Sequence, residues 1–185
     1  SHDIRTPLAI VMGNAELIEE REGVDAQAWK AAGMIKEQSL RIRSLIEDLN
    51  LTSKLAYHMQ PLRLREVSLA ALVRQAAAAC VNQLGSGEER YPIEISLTEE
   101  FQKKRLQADG HLLLRALENV IGNAVRHNPQ GCRIQIRGFL EEGRCRIAVS
   151  DSGRGIPPEV AACVNGNGES TRHIMGLRLV CQIVQ

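Results

Sequence analysis

The chain has 185 residues, 44% of them hydrophobic, and its 23 Lys and Arg against 22 Asp and Glu leave a formal net charge of +1. That length accommodates one or two small globular domains, and the balanced charge gives no general nucleic-acid or membrane signal. Two Phe, two Tyr and one Trp argue against an aromatic platform for single strands, and no apolar run is long enough to span a bilayer. No signal peptide is visible. Cys80, Cys132, Cys145, Cys163 and Cys181 are odd in number and widely spread, as reduced core thiols of a cytosolic protein would be. Neither they nor the five histidines have the spacing of a zinc site.

Ser1-His2-Asp3-Ile4-Arg5-Thr6-Pro7-Leu8 opens the chain, and Leu8, Val11, Ala15 and Ile18 continue it as an apolar stripe at helical spacing. At about 100° per residue, His2 and Thr6 share a face, with Asp3 a quarter turn away. Pro7 has no N–H for the carbonyl of Asp3 and should bend the helix at His2. A neutral imidazole titrates near pH ~6.5 and is a competent nucleophile; a neighbouring carboxylate holds the proton on one ring nitrogen and frees the other. Thr6 is placed to hold a water or a departing group. Taken alone, a histidine near a terminus is equally a solvated side chain or a remnant of a purification tag.

The first helix runs to about residue 22, Gly23-Val24-Asp25 makes the turn, and Asp25 caps a second helix from about Ala26 to His58. Trp29, Ala32, Ile35, Ile42, Leu45, Leu49 and Leu55 form a near-heptad seam interrupted by Gln38 and Ser39. A lone hairpin cannot bury such stripes. Pairing of two hairpins into a four-helix bundle would bury them, as would packing on the following domain.

Pro61 marks a domain boundary, and Leu62, Leu64 and Val67 predict a short strand. Ser68 caps a helix with Leu69, Leu72, Val73, Ala76 and Cys80 inward, ended by Gly85-Ser86-Gly87. Tyr91, Ile93, Ile95 and Leu97 alternate as a strand, Glu99 to Arg105 reads as a turn, and Leu106 and Ala108 form another strand. Asp109 caps a helix to about His127, with Leu113, Leu117, Val120, Ile121 and Ala124 on one face and Asn119, Asn123 and Arg126 on another. Asparagine is a poor helix former, so two amides one turn apart above a cation are an unusual surface. They are either a solvated face or a platform for Mg²⁺ and phosphate, because amide oxygens suit a hard cation and arginine suits phosphate.

Cys132, Ile134 and Ile136 lead through the turn Glu141-Glu142-Gly143 to Cys145, Ile147 and Val149, a hairpin with one wet face. It delivers Asp151-Ser152-Gly153-Arg154-Gly155-Ile156-Pro157, where two glycines permit close backbone approach and Asp151 would be a buried-edge acceptor suited to the exocyclic amine of adenine. A plain turn explains Asp-x-Gly-x-Gly equally well. Residues 158–172 are polar and rich in Gly and Asn in their second half, as a lid would be. A last helix from Gly176, with Leu177, Val180, Cys181 and Val184 inward, would offer N–H groups to phosphate at its start.

In order, these motifs resemble the H box, N box and two glycine boxes of sensor histidine kinases. The H box is Ser1 to Leu8, the N box Glu118 to His127, the first glycine box Asp151 to Pro157 and the second His173 to Val180. The resemblance covers almost the whole chain. It implies an α+β protein: an antiparallel helical hairpin over residues 1–60, a four-helix bundle as a homodimer, then a mixed, mostly antiparallel α/β sandwich of the GHKL (Bergerat) ATPase type over 61–185. By the same resemblance His2 accepts the γ-phosphoryl group of ATP, Asp3 assists, and Thr6 serves dephosphorylation of a response regulator. Asn123 binds Mg²⁺, Asn119 supports the metal or its water, Arg126 reaches the phosphates, and His127 stands where an aromatic ring usually lies near the nucleotide. Asp151 reads adenine, with Gly153, Gly155 and Ile156 around it, and Gly176 and Leu177 at the last helix. The resemblance also implies missing upstream parts, often a membrane-anchored sensor.

The sequence departs from the family where Ile174 replaces the first glycine of the last box, no Phe follows Phe139, and the lid is short. These departures bear on the lid's phosphate grip, for which Arg172 and His173 are the substitute candidates at the helix entrance. Two other functions stand beside the kinase: a nucleotide-sensing docking module without useful kinase activity, and a chaperone-like or DNA-topology ATPase. The last is disfavoured because Asn119 stands where those enzymes place a general-base glutamate.

Overall fold

Asp25 sets the geometry of the first unit: its carboxylate accepts from the backbone N–H of Gln27 at 3.3 Å and starts α2 (Ala26–Ala56), which follows α1 (His2–Glu20) through a turn with Gly23 at φ +77°. The structure, a computed structural model, describes residues 2–21, 23–57, 59–155, 179–180 and 183–184. It divides into two compact units, Ser1–Tyr57 and His58–Gln185. Among the described residues no helix is long and apolar enough to cross a membrane.

In the first unit Lys36 Nζ meets Glu19 Oε2 at 3.1 Å and Glu16 Oε1 at 3.6 Å, which ties α2 back onto α1 near the turn. The hydrogen bond and charge of Glu19, then Glu16, hold the Lys36 ammonium above its usual range. Small side chains make the contact: Ala15, Ala32 and Ser39 are buried. Of the seam predicted on α2, Ala32 is buried and Leu55 half-buried, while Trp29, Ile35, Ile42, Leu45 and Leu49 are all exposed. Two cylinders in contact cover only a strip of each, so the wider apolar stripe stays uncovered within one hairpin.

The second unit holds two sheets. β1 (Arg65–Ser68) pairs antiparallel with β3 (Arg105–Ala108), while β2 (Ile93–Leu97) runs parallel to β4 (Ile134–Glu141), itself antiparallel to β5 (Arg144–Asp151). α3 (Leu69–Leu84) and α5 (Gly110–His127) supply the other half of the core, where Val73, Ile121, Ile134 and Ile136 are fully buried together. Burial of each such side chain contributes about 1.5–3 kcal/mol. Gln135 and Arg137 stand on the opposite, wet face of β4. Ser68 Oγ accepts from Ala71 N at 3.3 Å, as its predicted capping role requires.

Four expectations need correction. β1 starts at Arg65, and Leu62 and Leu64 are exposed outside it, because strand β3 offers partners only for Arg65 to Ser68. Tyr91 lies ahead of β2, buried, with its hydroxyl engaged elsewhere. The segment read as a turn contains a helix, α4 (Glu99–Lys103), capped by Thr98 Oγ1 accepting from Phe101 N at 3.4 Å. Burial of one aromatic outweighs the charged composition: Phe101 is fully buried where Gly138 leaves room, and a Cβ on Gly138 would lie 2.7 Å from its ring. Near the carboxyl end Val180 is half-buried, but Leu179, not predicted inward, is fully buried and Val184, predicted inward, is 64% exposed; Leu177 and Cys181 lie outside the described residues.

The β4–β5 turn places Glu142 at φ 51° and Gly143 at φ 76°. A left-handed glutamate is strained where asparagine is tolerated. Glu142→Asn should therefore stabilise the protein by about 0.5 kcal/mol, measured by urea denaturation. Asp109 holds the start of α5 by accepting from His111 N, Leu112 N and, from outside the helix, Arg63 N at 3.0 Å. Burial pushes its carboxyl up, but the three N–H donors and the His111 charge together hold it below its usual value of 3.8. A depressed carboxyl stabilises the fold above its unfolded pKa and loses that contribution as pH falls through the lower folded value. Below about pH 4 the protein should thus lose stability that Asp109→Asn lacks at every pH, while Asp109→Ala should cost about 1 kcal/mol at neutral pH.

Candidate nucleotide site

The amphipathic pattern of α5 decides which residues leave the core. Leu112, Ala116, Leu117, Ile121 and Ala124 are buried, and the same periodicity carries Asn119 and Asn123, one turn apart, to a half-buried position at the edge of that face. Arg126 and His127 are exposed in the last turn, where cations complement the negative end of the helix dipole. The Arg126 guanidinium reaches back along the helix, since a Cβ on Gly122 would lie 3.5 Å from it.

α5 ends on a residue that the sequence reading passed over. Asn128 is buried, its backbone N–H donates to Val125 O at 3.2 Å, and its side-chain Nδ2 donates both to Ala124 O at 2.7 Å and to Asp151 Oδ1 at 3.2 Å. Its own carbonyl accepts from the Tyr91 hydroxyl at 2.9 Å and from Gly131 N at 2.9 Å. The end of β5 is thereby fastened to the end of α5. Asp151 Oδ1 also accepts from Gly153 N at 2.9 Å, which closes the turn after β5. Ser152 secures that turn to the start of β4: its Oγ accepts from Arg133 N at 2.9 Å and its N–H donates to Arg133 O at 3.0 Å. Gly153 is packed so closely on the Asn128 amide that any Cβ would collide with it, and Gly155 at φ 77° occupies a backbone conformation that favours glycine.

Asp151 is exposed rather than a buried-edge acceptor, because only one of its oxygens is turned into the protein. Beneath it, the Cys132 thiol is pushed up by burial and by the Asp151 charge, a shift partly offset by Asn128, which leaves it a protonated, unreactive floor. Among the described residues, Cys80, Cys132 and Cys145 are all free thiols.

The other predicted residues fall elsewhere. His2 and Asp3 open α1 in the first unit, with Thr6 one turn on and exposed. Ile156, Arg172, His173, Gly176 and Leu177 lie outside the described residues. An apolar cavity of about 630 Å³ is lined by Leu106, Leu113, Val120, Ile147 and Val180 among others, and none of the described residues that line it is a predicted site residue. It offers no carboxylate or amide oxygen to an adenine amine or a metal, so the polar end of α5 is the better nucleotide candidate. Asn128 and Ser152 are the residues that sequence reasoning missed. The Asn-Pro pair at 128–129 was a signal, since a helix stops before proline and leaves an amide to serve as its cap.

Comparison with known proteins accounts for both units. Residues 1–57 match the family described as "His Kinase A (phospho-acceptor) domain", and residues 108–185 match "Histidine kinase-, DNA gyrase B-, and HSP90-like ATPase". The chain belongs to the two-component sensor histidine kinases. The alginate biosynthesis sensor protein KinB of Pseudomonas aeruginosa is 32% identical to this chain over 160 residues, covering 85% of the chain and 26% of that protein. Sensor histidine kinase YvrG of Bacillus subtilis is 29% identical, covering 86% of the chain and 27% of that protein. The chain thus spans about a quarter of the length of these curated relatives. Among solved structures, full-length ShkA in complex with AMPPNP superposes with a TM-score of 0.72 at 25% identity, over 98% of the chain and 38% of that protein. Histidine kinase ThkA in complex with response regulator protein TrrA shares the fold, with a TM-score of 0.60 at 19% identity over 88% of the chain and 46% of that protein.

A side chain at position 153 would displace the Asn128 amide. Gly153→Ala should lower stability by about 1–3 kcal/mol and shift the side-chain amide resonances of Asn128, both readable by thermal unfolding and ¹⁵N NMR. The corresponding change at Gly143, where a Cβ meets nothing within 4 Å, should leave those resonances in place.

Proposed function

We propose that this chain is the catalytic core of a protein histidine kinase, in which residues 1–60 form the phosphoacceptor and dimerisation hairpin and residues 61–185 the ATP-binding domain. The observation that carries the proposal is the fastening of the Asp151 turn to the end of the asparagine-bearing helix by Asn128. It supports a reading in which Asp151 accepts from an adenine amine while the amide oxygens and the cation of α5 serve a Mg-nucleotide.

ATP binds with its base amine donating to Asp151 and its phosphates running towards Asn119, Asn123 and Arg126. The closeness of the backbone at Gly153 and Gly155 suits a flat base, and His127 lies beside it. Asn123, supported by Asn119, would hold Mg²⁺. These neutral oxygen donors fit a hard cation bound chiefly through nucleotide phosphates, and among the described residues no cluster of three His, Cys, Asp or Glu makes a protein-only metal cage. Bound Mg²⁺ supplies charge neutralisation on the phosphate oxygens. Beyond the described residues, Ile156, Arg172, His173, Gly176 and Leu177 complete the proposed nucleotide contacts.

A ring nitrogen of His2 attacks the γ-phosphorus in line. The N–P bond forms as the bond to the β–γ bridging oxygen breaks, and ADP leaves with that electron pair. Asp3 orients the imidazole or takes its proton. The phosphoryl group then passes to an aspartate of a response regulator, and Thr6 aids hydrolysis of the resulting aspartyl phosphate. Arg126 stabilises the charge on the transferring group. The exposed apolar stripe of α2 supports a homodimer, since it forms the seam a second hairpin would bury.

Incubation with γ-labelled Mg-ATP tests the proposal. The chain should acquire acid-labile, base-stable label, and His2→Gln should acquire none while still binding ATP. Ile174, at a position where the family has glycine, favours a second reading as a nucleotide-sensing docking module. ATP binding without any label transfer would establish that module and overturn the kinase.

A further inference from the structure

We infer that Asn128 is a specificity-determining, positioning residue for the nucleotide base. It orients the Asp151 carboxylate so that only an amine-bearing base satisfies it. The inference rests on the proposed binding of the adenine amine at Asp151.

The geometry allows the Asn128 side chain one orientation. Its two partners, the Ala124 carbonyl and the Asp151 carboxylate, only accept hydrogen bonds, so the NH₂ end must face both. The residue cannot swing away, because its carbonyl is held by Tyr91 and Gly131 and its amide lies against Gly153. Asp151 thus receives two donors, Asn128 Nδ2 and Gly153 N, and both converge on Oδ1. No described residue donates to Oδ2. Asp151 is exposed, so that oxygen is the acceptor offered to the base. A donor on the base satisfies it; a base lacking the amine leaves a fixed carboxylate unpaired, which is how a built polar site rejects an analogue. Without Asn128 the carboxylate can rotate into solvent, and its preference for an amine falls.

The test compares binding of Mg-ATP with that of Mg-purine riboside 5′-triphosphate, which lacks the amine, by calorimetry on the whole chain. The wild type should prefer ATP by about tenfold or more. Asp151→Asn should lose the preference. Asn128→Ala should weaken ATP about tenfold with little change for the analogue, and thermal unfolding should establish that this variant is folded. Asn128→Asp gives a readout that a merely structural role would not move. At pH 8 two facing carboxylates repel, the Gly153 N–H alone is left on Oδ1, and the preference falls. Near pH 5.5 such a pair shares a proton, one carboxyl donates to the other, and the preference returns within the same folded protein. Retention of the ATP preference in both Asn128 variants at every pH, with its loss in Asp151→Asn, overturns the role of Asn128 alone. Retention in Asp151→Asn as well overturns it together with the base reading beneath it.

Discussion

One hydrogen-bonded junction holds the candidate site together. The Asn128 side chain caps the last turn of α5 at the Ala124 carbonyl and reaches the carboxylate that ends β5. A helix terminus has carbonyls without intrahelical partners, and a strand end has a chain that must turn. Here one amide serves both, and a tyrosine hydroxyl from ahead of β2 fixes that amide's own backbone. The proposed nucleotide face is therefore a property of packing between elements far apart in sequence. The hydrophobic contacts of Ile121, Ile134 and Ile136 bring α5 and β4 together. The junction then converts that packing into a defined position for Asp151.

The first unit obeys a different constraint. Its helices touch through alanines and a buried serine near a lysine–glutamate tie, so the close approach leaves the large apolar side chains on the outside. A stripe of exposed Trp, Ile and Leu along a helix is costly in water and calls for a cover. The proposed chemistry is thus divided along the chain: the nucleophile candidate stands on a hairpin with an uncovered apolar stripe, and the proposed nucleotide contacts stand on the second unit.

Much of this was legible in the sequence because it rests on local rules. Asp25, Ser68, Thr98 and Asp109 each accept from backbone N–H groups at a helix start, and three of these four caps were read from residue type and position. The hairpin of β4 and β5 follows from period-two alternation around a Glu-Gly turn. What escaped depends on contacts no local pattern encodes. Helix α4 forms because Gly138, some forty residues on, leaves a space that Phe101 fills. Asn128 looked like the residue after a helix, and its importance appears only when β5 returns beside it. The heptad on α2 was visible, but which of its residues stay exposed depends on which small residues meet α1.

The most direct measurement is a ¹⁵N NMR titration of the chain with Mg-ATP. The account predicts that the side-chain amides of Asn119, Asn123 and Asn128 and the backbone N–H groups of Gly153 and Gly155 shift together along one saturable binding curve. Saturable shifts confined to the apolar cavity around Leu106 and Ile147, with those five groups unmoved, would contradict it.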